Sequence, residues 1–179
     1  MQKNLKKSKN MYPDRFCGIL LIVMQLVTVT LKAQKLSVDI AAVRNHSLRL
    51  HGTNASLFYH FTKHFSAGIE VNRFFGTQKI KQGETVRLSA WDFDMNLHYY
   101  LPASRQIILY PVLGISYSRE KEASLNESEL RHLKYVNTGA GILFGSRTWK
   151  PHIEFILANG KKTEQLVIAG LNIELGKEK

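Results

Sequence analysis

Acids and histidines that recur at two-residue intervals are the side chains of this sequence best suited to chemistry. Asp92, Asp94 and His98 share this interval within one segment. Four further acids occupy the same phase of similar alternating segments, namely Asp39, Glu70, Glu154 and Glu174. Converging carboxylates and imidazoles can act as general acids and bases or hold a cation. A two-residue interval places side chains on one face of a β-strand, so the strand arrangement decides whether these groups meet.

The segment from Ser89 to Leu101 shows the kind of element that carries this face. From Trp91 onward its odd positions are apolar or aromatic and its even positions are polar, in the order W-D-F-D-M-N-L-H-Y-Y. Only a period-2 strand sorts side chains in this way. A strand of about ten residues with one apolar and one polar face is what a transmembrane β-barrel needs, because lipid and lumen demand opposite chemistry.

Seven other segments alternate similarly, which predicts an all-β protein. The eight predicted strands lie near 35–45, 53–62, 65–75, 87–101, 106–119, 134–145, 150–159 and 164–175. The strand centres contain almost no Lys or Arg, whereas the exterior of a soluble barrel would be charged. We therefore predict an eight-stranded antiparallel up-and-down transmembrane β-barrel. A soluble periplasmic ligand-binding barrel is the alternative.

The connections between the predicted strands alternate in length, as expected when both termini are periplasmic. Short links at 62–64, 102–106 and 145–149 alternate with longer ones at 45–53, 76–86 and 119–134. We expect loops 76–86 and 119–134 to contact an extracellular protein partner, and the second could hold a short helix. Aromatic residues near the strand ends predict two interfacial girdles. They are Tyr59, Phe61, Phe65, Tyr99, Phe144 and Trp149 near the short turns, and Phe74, Phe75, Tyr117 and Tyr135 near the long loops.

Residues 1–33 have the layout of a cleavable signal peptide. Basic residues precede an uncharged run over 16–31, and a small residue, Ala33, marks the predicted cleavage site. The predicted mature domain is 34–179. Cleavage removes six of 25 basic and one of 14 acidic residues, so the formal charge falls from +11 to +6 (19 minus 13). This lower charge argues against a nucleic-acid partner, and loss of the single cysteine, Cys17, excludes disulfides.

Three stretches resemble the small outer-membrane β-barrel proteins of Bacteroidota-type bacteria, which are similar to the eight-stranded OmpA/OmpX-type barrels. These stretches are N-L-H-Y-Y-L-P (96–102), I-L-Y-P-V-L-G-I-S-Y (108–117) and G-A-G-I-L-F-G (139–145). The resemblance implies an integral protein of the Gram-negative outer membrane. It transfers no catalytic residues.

We interpret the seven acids and histidines named at the start as a polar network that fills the lumen. An eight-stranded barrel is only wide enough inside for side chains. A narrow channel is the alternative. His60, His98 and His152 with Glu154 could ligate zinc, but they come from separate strands without a spacing motif, so we predict no metal and no cofactor. The usual catalytic motifs are absent from the sequence, so we predict a structural or surface-interaction role and keep an outer-membrane enzyme as an alternative.

Five basic residues lie just beyond the apolar bands of their strands, on the apolar-facing side. They are Arg44, Arg73, Arg87, Arg119 and Lys134. Arginine suits bidentate contact with phosphate, and the outer leaflet of such a membrane presents lipopolysaccharide phosphates. We therefore predict a belt that holds the barrel against lipopolysaccharide. Basic side chains that only reach toward the membrane surface are the alternative.

Overall fold

Nine strands form the part of the protein that the computed structural model describes, residues 35–81, 84–124, 127–145 and 148–175. The predicted signal peptide lies outside these residues. The strands are β1 (Lys35–Asn45), β2 (Leu50–His60), β3 (Phe65–Lys81), β4 (Glu84–Tyr99), β5 (Leu101–Pro102), β6 (Ile107–Ala123), β7 (Ser128–Phe144), β8 (Trp149–Asn159) and β9 (Thr163–Leu175). In the described ranges, no helix is both long and apolar enough to cross a membrane.

The strands pair antiparallel into a closed barrel. The order around the sheet is β4-β3-β2-β1-β9-β8-β7-β6, and pairing of β4 with β6 closes the ring. β5 has two residues and pairs with β6 beyond the end of β4, so the barrel has eight full strands. This confirms the predicted eight-stranded antiparallel barrel. Leu36 pairs with Leu175, so both described chain ends lie at one end of the barrel, called here the terminal end.

Side chains alternate between an apolar exterior and a polar interior. In β4, Met95 is 62% exposed on the outside, whereas its neighbour Asp94 is 6% exposed inside. Glycine makes room for the larger interior side chains. A Cβ at Gly141 would collide with the ring of Tyr110, its partner across the β6–β7 pair.

The predicted loops 76–86 and 119–134 are largely strand. β3 and β4 pair as far as Lys81 and Glu84, and β6 and β7 pair as far as Ala123 and Ser128. The described residues of 119–134 contain no helix, so the expected short helix is wrong. These segments look like loops because they lack an outward apolar band, yet cross-strand hydrogen bonds keep their backbone paired. The predicted link at 45–53 is also shorter, since β2 already begins at Leu50.

The four strands β3, β4, β6 and β7 have 16 or 17 residues, whereas β1, β2 and β8 have 11. A difference of about six residues corresponds to roughly 20 Å of strand. Because β4 still pairs with β6 at Arg87 and Ala123, the two hairpins extend as one four-stranded wall. We call this end of the barrel the hairpin end.

Two residues of the predicted aromatic girdles, Phe74 and Tyr135, are not on the outside of the barrel. Phe74 lies next to a β-bulge near the hairpin end. The register of β3 against β4 shifts between Phe74 and Thr77, where two residues oppose one. Phe74 lies inside at 0% exposure, and Phe75 lies outside. Tyr135 is also interior, at 6% exposure, because it shares the phase of Asn137. The other predicted girdle residues are exposed or half-buried.

Candidate functional site

The structure places the seven predicted network residues in the barrel interior. Six of them are buried, and Glu174 is half-buried at the terminal end. Glu174 forms an ion pair with Lys150, whose Nζ lies 2.5 Å from Glu174 Oε1. Among the described residues, the five buried carboxylates have no Lys or Arg within ion-pair distance. Neutral donors therefore carry most of the contacts in this interior.

A ladder of asparagines and acids crosses β2, β3 and β4 inside the barrel. Asn54 donates to Asn72 at 2.9 Å and to Glu70 at 3.2 Å, and Asn72 donates to Asp94 at 2.7 Å. Asn96 donates to Glu70 at 2.6 Å. We call Asn54, Glu70, Asn72, Asp94 and Asn96 the polar ladder. Its carboxylates are held by amide donors at fixed cross-strand positions, an arrangement that fills the lumen and leaves no group converging on a substrate.

A second interior cluster lies nearer the terminal end. Tyr110 donates its hydroxyl proton to Glu154 at 2.7 Å, and His152 Nδ1 lies 3.0 Å from Asp39 Oδ2. The ring of His98 packs between Phe58 and Tyr110, with centroid distances of 4.4 and 5.0 Å. His60 contacts Ser37 at 2.9 Å, and the rings of His60 and His98 both lie near the ring of Tyr100, with centroid distances of 5.5 and 6.1 Å. Within the described ranges, no group of three His, Cys, Asp or Glu residues could hold a metal ion.

A cavity of about 410 Å³ opens inside the mouth of the barrel at the hairpin end. Apolar side chains line it from the turn between β1 and β2 and from β4 and β7, namely Leu48, Val86, Leu88 and Leu133. Glu120 and Glu164 also line it and are 7% and 6% exposed. We call this the mouth cavity. The cavity is not predicted from the sequence because Glu120 falls in a predicted loop, although the phase of Ser116 and Ser118 continues to this residue.

The five predicted belt residues point outward near the hairpin end, but they are unevenly distributed. Arg73, Arg87, Arg119 and Lys134 lie on β3, β4, β6 and β7, whereas Arg44 lies apart on β1. Trp91 stands between two of them, since it pairs with Arg73 on one side and Arg119 on the other.

The Arg73 guanidinium lies 4.6 Å from the centre of the Trp91 ring, a cation–π contact. Arg73, Arg87 and Lys121 line an outward cleft of about 310 Å³, here called the cationic cleft. Gly76 at the bulge gives it room, because a Cβ there would collide with the Arg87 side chain. Lys121 was missed for the same reason as Glu120. The phase of Tyr117 and Arg119 continues to it once the hairpin is recognised.

Comparison with known proteins supports the fold. Neither a protein-family model nor a curated protein sequence matches the chain. Ail, the attachment invasion locus protein of Yersinia pestis, has a similar structure, with a TM-score of 0.57, 14% identity, and coverage of 79% of this chain and 99% of Ail. The N-terminal β-barrel domain of Pseudomonas aeruginosa OprF has a TM-score of 0.58 at 13% identity, covering 79% of this chain and 97% of that domain.

Neisserial surface protein A gives a TM-score of 0.59 at 9% identity, covering 79% of this chain and 96% of that protein. These proteins are eight-stranded outer-membrane barrels. Identities this low speak to the fold and leave function to be argued from the sites. The described chain has the fold of the small eight-stranded outer-membrane β-barrels.

Proposed function

We propose that this chain is an integral protein of the Gram-negative outer membrane, of the Bacteroidota-type small-barrel kind, with a structural or surface-interaction role. The observation that carries the proposal is the apolar exterior. Large hydrophobic side chains stand exposed all around the wall, including Ile40, Ile69, Met95, Leu113 and Ile153. In water such a surface would drive aggregation, whereas in lipid it is the favoured exterior.

The contacts inside the barrel favour a closed lumen and argue against a transport pathway. The polar ladder and the Tyr110–Glu154 pair cross the interior, with their side chains bonded to one another. An eight-stranded barrel leaves no further width once such side chains fill it. The carboxylates of Glu70 and Asp94 accept hydrogen bonds from amide and hydroxyl donors, which argues against a catalytic role for these two acids. Planar-bilayer recordings should show no ion conductance, and steady single-channel currents would favour the channel alternative.

Heat-modifiable migration tests the membrane barrel directly. The detergent-extracted protein should migrate faster unheated than boiled, because a closed barrel resists dodecyl sulfate until heated. It should fractionate with outer membranes, and its mature N-terminus should be Gln34 if the signal peptide is cleaved after Ala33. A water-soluble monomer whose migration does not respond to heating would instead support the periplasmic ligand-binding barrel.

The cationic cleft supports a contact with lipopolysaccharide phosphates. It gathers Arg73, Arg87 and Lys121 on the outward side, with Trp91 beside it. Tryptophan is favoured at the membrane interface, and guanidinium groups bind phosphate bidentately. Clustering on β3, β4 and β6 concentrates the charge on one side of the barrel.

Charge reversal tests this contact. Arg73→Glu with Arg87→Glu should lower the lipopolysaccharide that copurifies with each barrel, because the cleft then repels phosphate. Lys63→Glu with Arg105→Glu is the matched control, since both residues are exposed in turns at the terminal end. Equal lipid content in the two double variants would leave Arg73 and Arg87 as basic side chains without a specific ligand.

The long hairpins are the surface best placed for a protein partner outside the cell. The wall of β3, β4, β6 and β7 stands above the rest of the barrel rim. Paired strands hold it in shape, so its outward side chains are presented on a rigid support. Shortening the β6–β7 hairpin in register should preserve heat-modifiable migration and abolish binding of an extracellular protein partner. Binding by the shortened barrel would exclude this hairpin as the contact surface.

A further inference from the structure

The mouth cavity combines three chemical environments in one concave space. Its walls are apolar, formed by Leu48, Val86, Leu88 and Leu133. Two buried acids, Glu120 and Glu164, line it from β6 and from β9. Cations also line it, from Lys79, Arg131, Lys161 and Lys162. Its volume of about 410 Å³ lies in the range of small-molecule pockets.

The two acids differ in their partners. Glu164 accepts hydrogen bonds from Tyr135 Oη at 2.7 Å and from Asn45 Nδ2 at 2.5 Å. Glu120 is equally buried, yet among the described residues no donor lies within hydrogen-bond or ion-pair distance of its carboxylate. The oxygens of Glu120 are not among the fully enclosed polar atoms without a partner in the described residues, so they reach the open volume of the cavity. A carboxylate that lines a cavity and has no protein donor is available to accept hydrogen bonds from a ligand there.

The electrostatic surroundings of Glu120 define the ligand further. Burial, followed by the charge of Glu164, raises the pKa of Glu120, and Arg131 and Lys162 oppose this effect from a distance. Arg131 is itself engaged by Glu129 at 2.7 Å, so it does not pair with Glu120. Lys161 and Lys162 are exposed in the turn before β9. A simple cation would be repelled by these lysines, whereas a carboxylate at the other end of a ligand would be attracted to them.

We propose that the mouth cavity binds a small apolar zwitterion, a short peptide or amino acid whose free ammonium group reaches Glu120. The ammonium supplies the donors that Glu120 lacks, and the apolar side chains occupy the walls formed by Val86, Leu88 and Leu133. The carboxylate of the ligand faces Lys161 and Lys162. This site lies inside the barrel and is separate from the outward cationic cleft.

Calorimetric titration of the folded, detergent-solubilised full-length barrel tests the site, with the dipeptide Leu-Leu as the probe. N-acetyl-Leu-Leu keeps the apolar body and the carboxylate but loses the ammonium, and it should bind about 10- to 100-fold more weakly, the range of a hydrogen bond to a charged group. Leu-Leu amide lacks the carboxylate and should bind severalfold more weakly. Equal affinity of Leu-Leu and N-acetyl-Leu-Leu would overturn the proposal, and equal affinity of Leu-Leu and its amide would overturn the zwitterion class.

Variants connect the binding to Glu120. Glu120→Gln should weaken Leu-Leu by about 10- to 100-fold and leave the affinity for N-acetyl-Leu-Leu unchanged, because only the ammonium contact is lost. Glu127→Gln is the matched control, an acid of the same hairpin that is exposed and does not line the cavity. Heat-modifiable migration confirms that each variant is folded. Unchanged Leu-Leu affinity in folded Glu120→Gln would overturn the role of this residue, as would an equal loss in Glu127→Gln.

Discussion

The middle of the barrel interior and its mouth both bury carboxylates, but they surround them differently. In the polar ladder, Asp94 accepts a hydrogen bond from Asn72 at 2.7 Å and another from Ser116. In the mouth, Glu120 has no donor among the described residues and borders open space. Carboxylates of the polar ladder are thus packed among protein donors, whereas Glu120 borders open volume. Partners and adjoining volume separate the two roles, and burial does not.

The middle of the barrel tolerates many polar groups because the members of the polar ladder bond to one another across strands. Each asparagine of the polar ladder bridges two strands, so the ladder adds side-chain bonds to the backbone pairs. A polar network is stabilising only when its members are satisfied, because the low dielectric penalises any group left alone. The free energy of unfolding should therefore fall when a donor of the polar ladder is removed, and it should change little when a side chain of the mouth is altered.

The largest effect is expected from Asn72→Leu. This change removes the donor to Asp94 and the acceptor for Asn54, and should lower the free energy of unfolding by about 3 kcal/mol. Urea titration of the barrel in lipid vesicles, followed by tryptophan fluorescence, measures it. Asn159→Leu is the control, since Asn159 is exposed at the end of β8. Similar losses in the two variants would mean that the polar ladder adds no stability.

A smaller loss is expected from Tyr110→Phe. The variant keeps the ring that packs on His98 and fits against Gly141, and it removes only the hydroxyl that donates to Glu154. We expect a loss of about 1–2 kcal/mol in the same titration. Tyr99→Phe, on the outside of β4, should change stability little. If Tyr110→Phe matches Tyr99→Phe, Glu154 does not depend on this donor.

The sequence was sufficient to predict the strands and the faces of the barrel wall. In β4, the alternation from Trp91 to Tyr99 assigns every side chain to the inside or the outside, because the lipid-facing side must be apolar. The prediction failed where that constraint ends. Glu120 and Lys121 lie beyond the outward apolar band, so no apolar phase marks the strand and the segment looks like a loop. Phe74 was misplaced next to the bulge near Gly76, a register shift that alternation alone does not reveal.

The smallest effect should come from Glu120 alone, through the dependence of stability on pH. Burial raises the pKa of Glu120, so the folded protein holds this proton more tightly than the unfolded chain. Its contribution to stability is therefore greatest below the ordinary pKa of about 4.5 and is lost as the pH rises through the raised value. Glu120→Gln lacks this titrating carboxyl, so its free energy of unfolding should fall less than that of the unmodified protein as the pH rises. Glu127→Gln should follow the unmodified protein.

Comparing unfolding midpoints of these proteins at pH 4.5 and pH 8 isolates Glu120, because the acids of the polar ladder are present in all three. If the unfolding midpoint of Glu120→Gln changes with pH as much as that of the unmodified protein, Glu120 has a partner in solution. That result would also count against a ligand at this residue. Saturating Leu-Leu should give the opposite result in the unmodified protein. An ammonium beside Glu120 stabilises its charged form, so the bound ligand should reduce the loss of stability at high pH and have no such effect in Glu120→Gln.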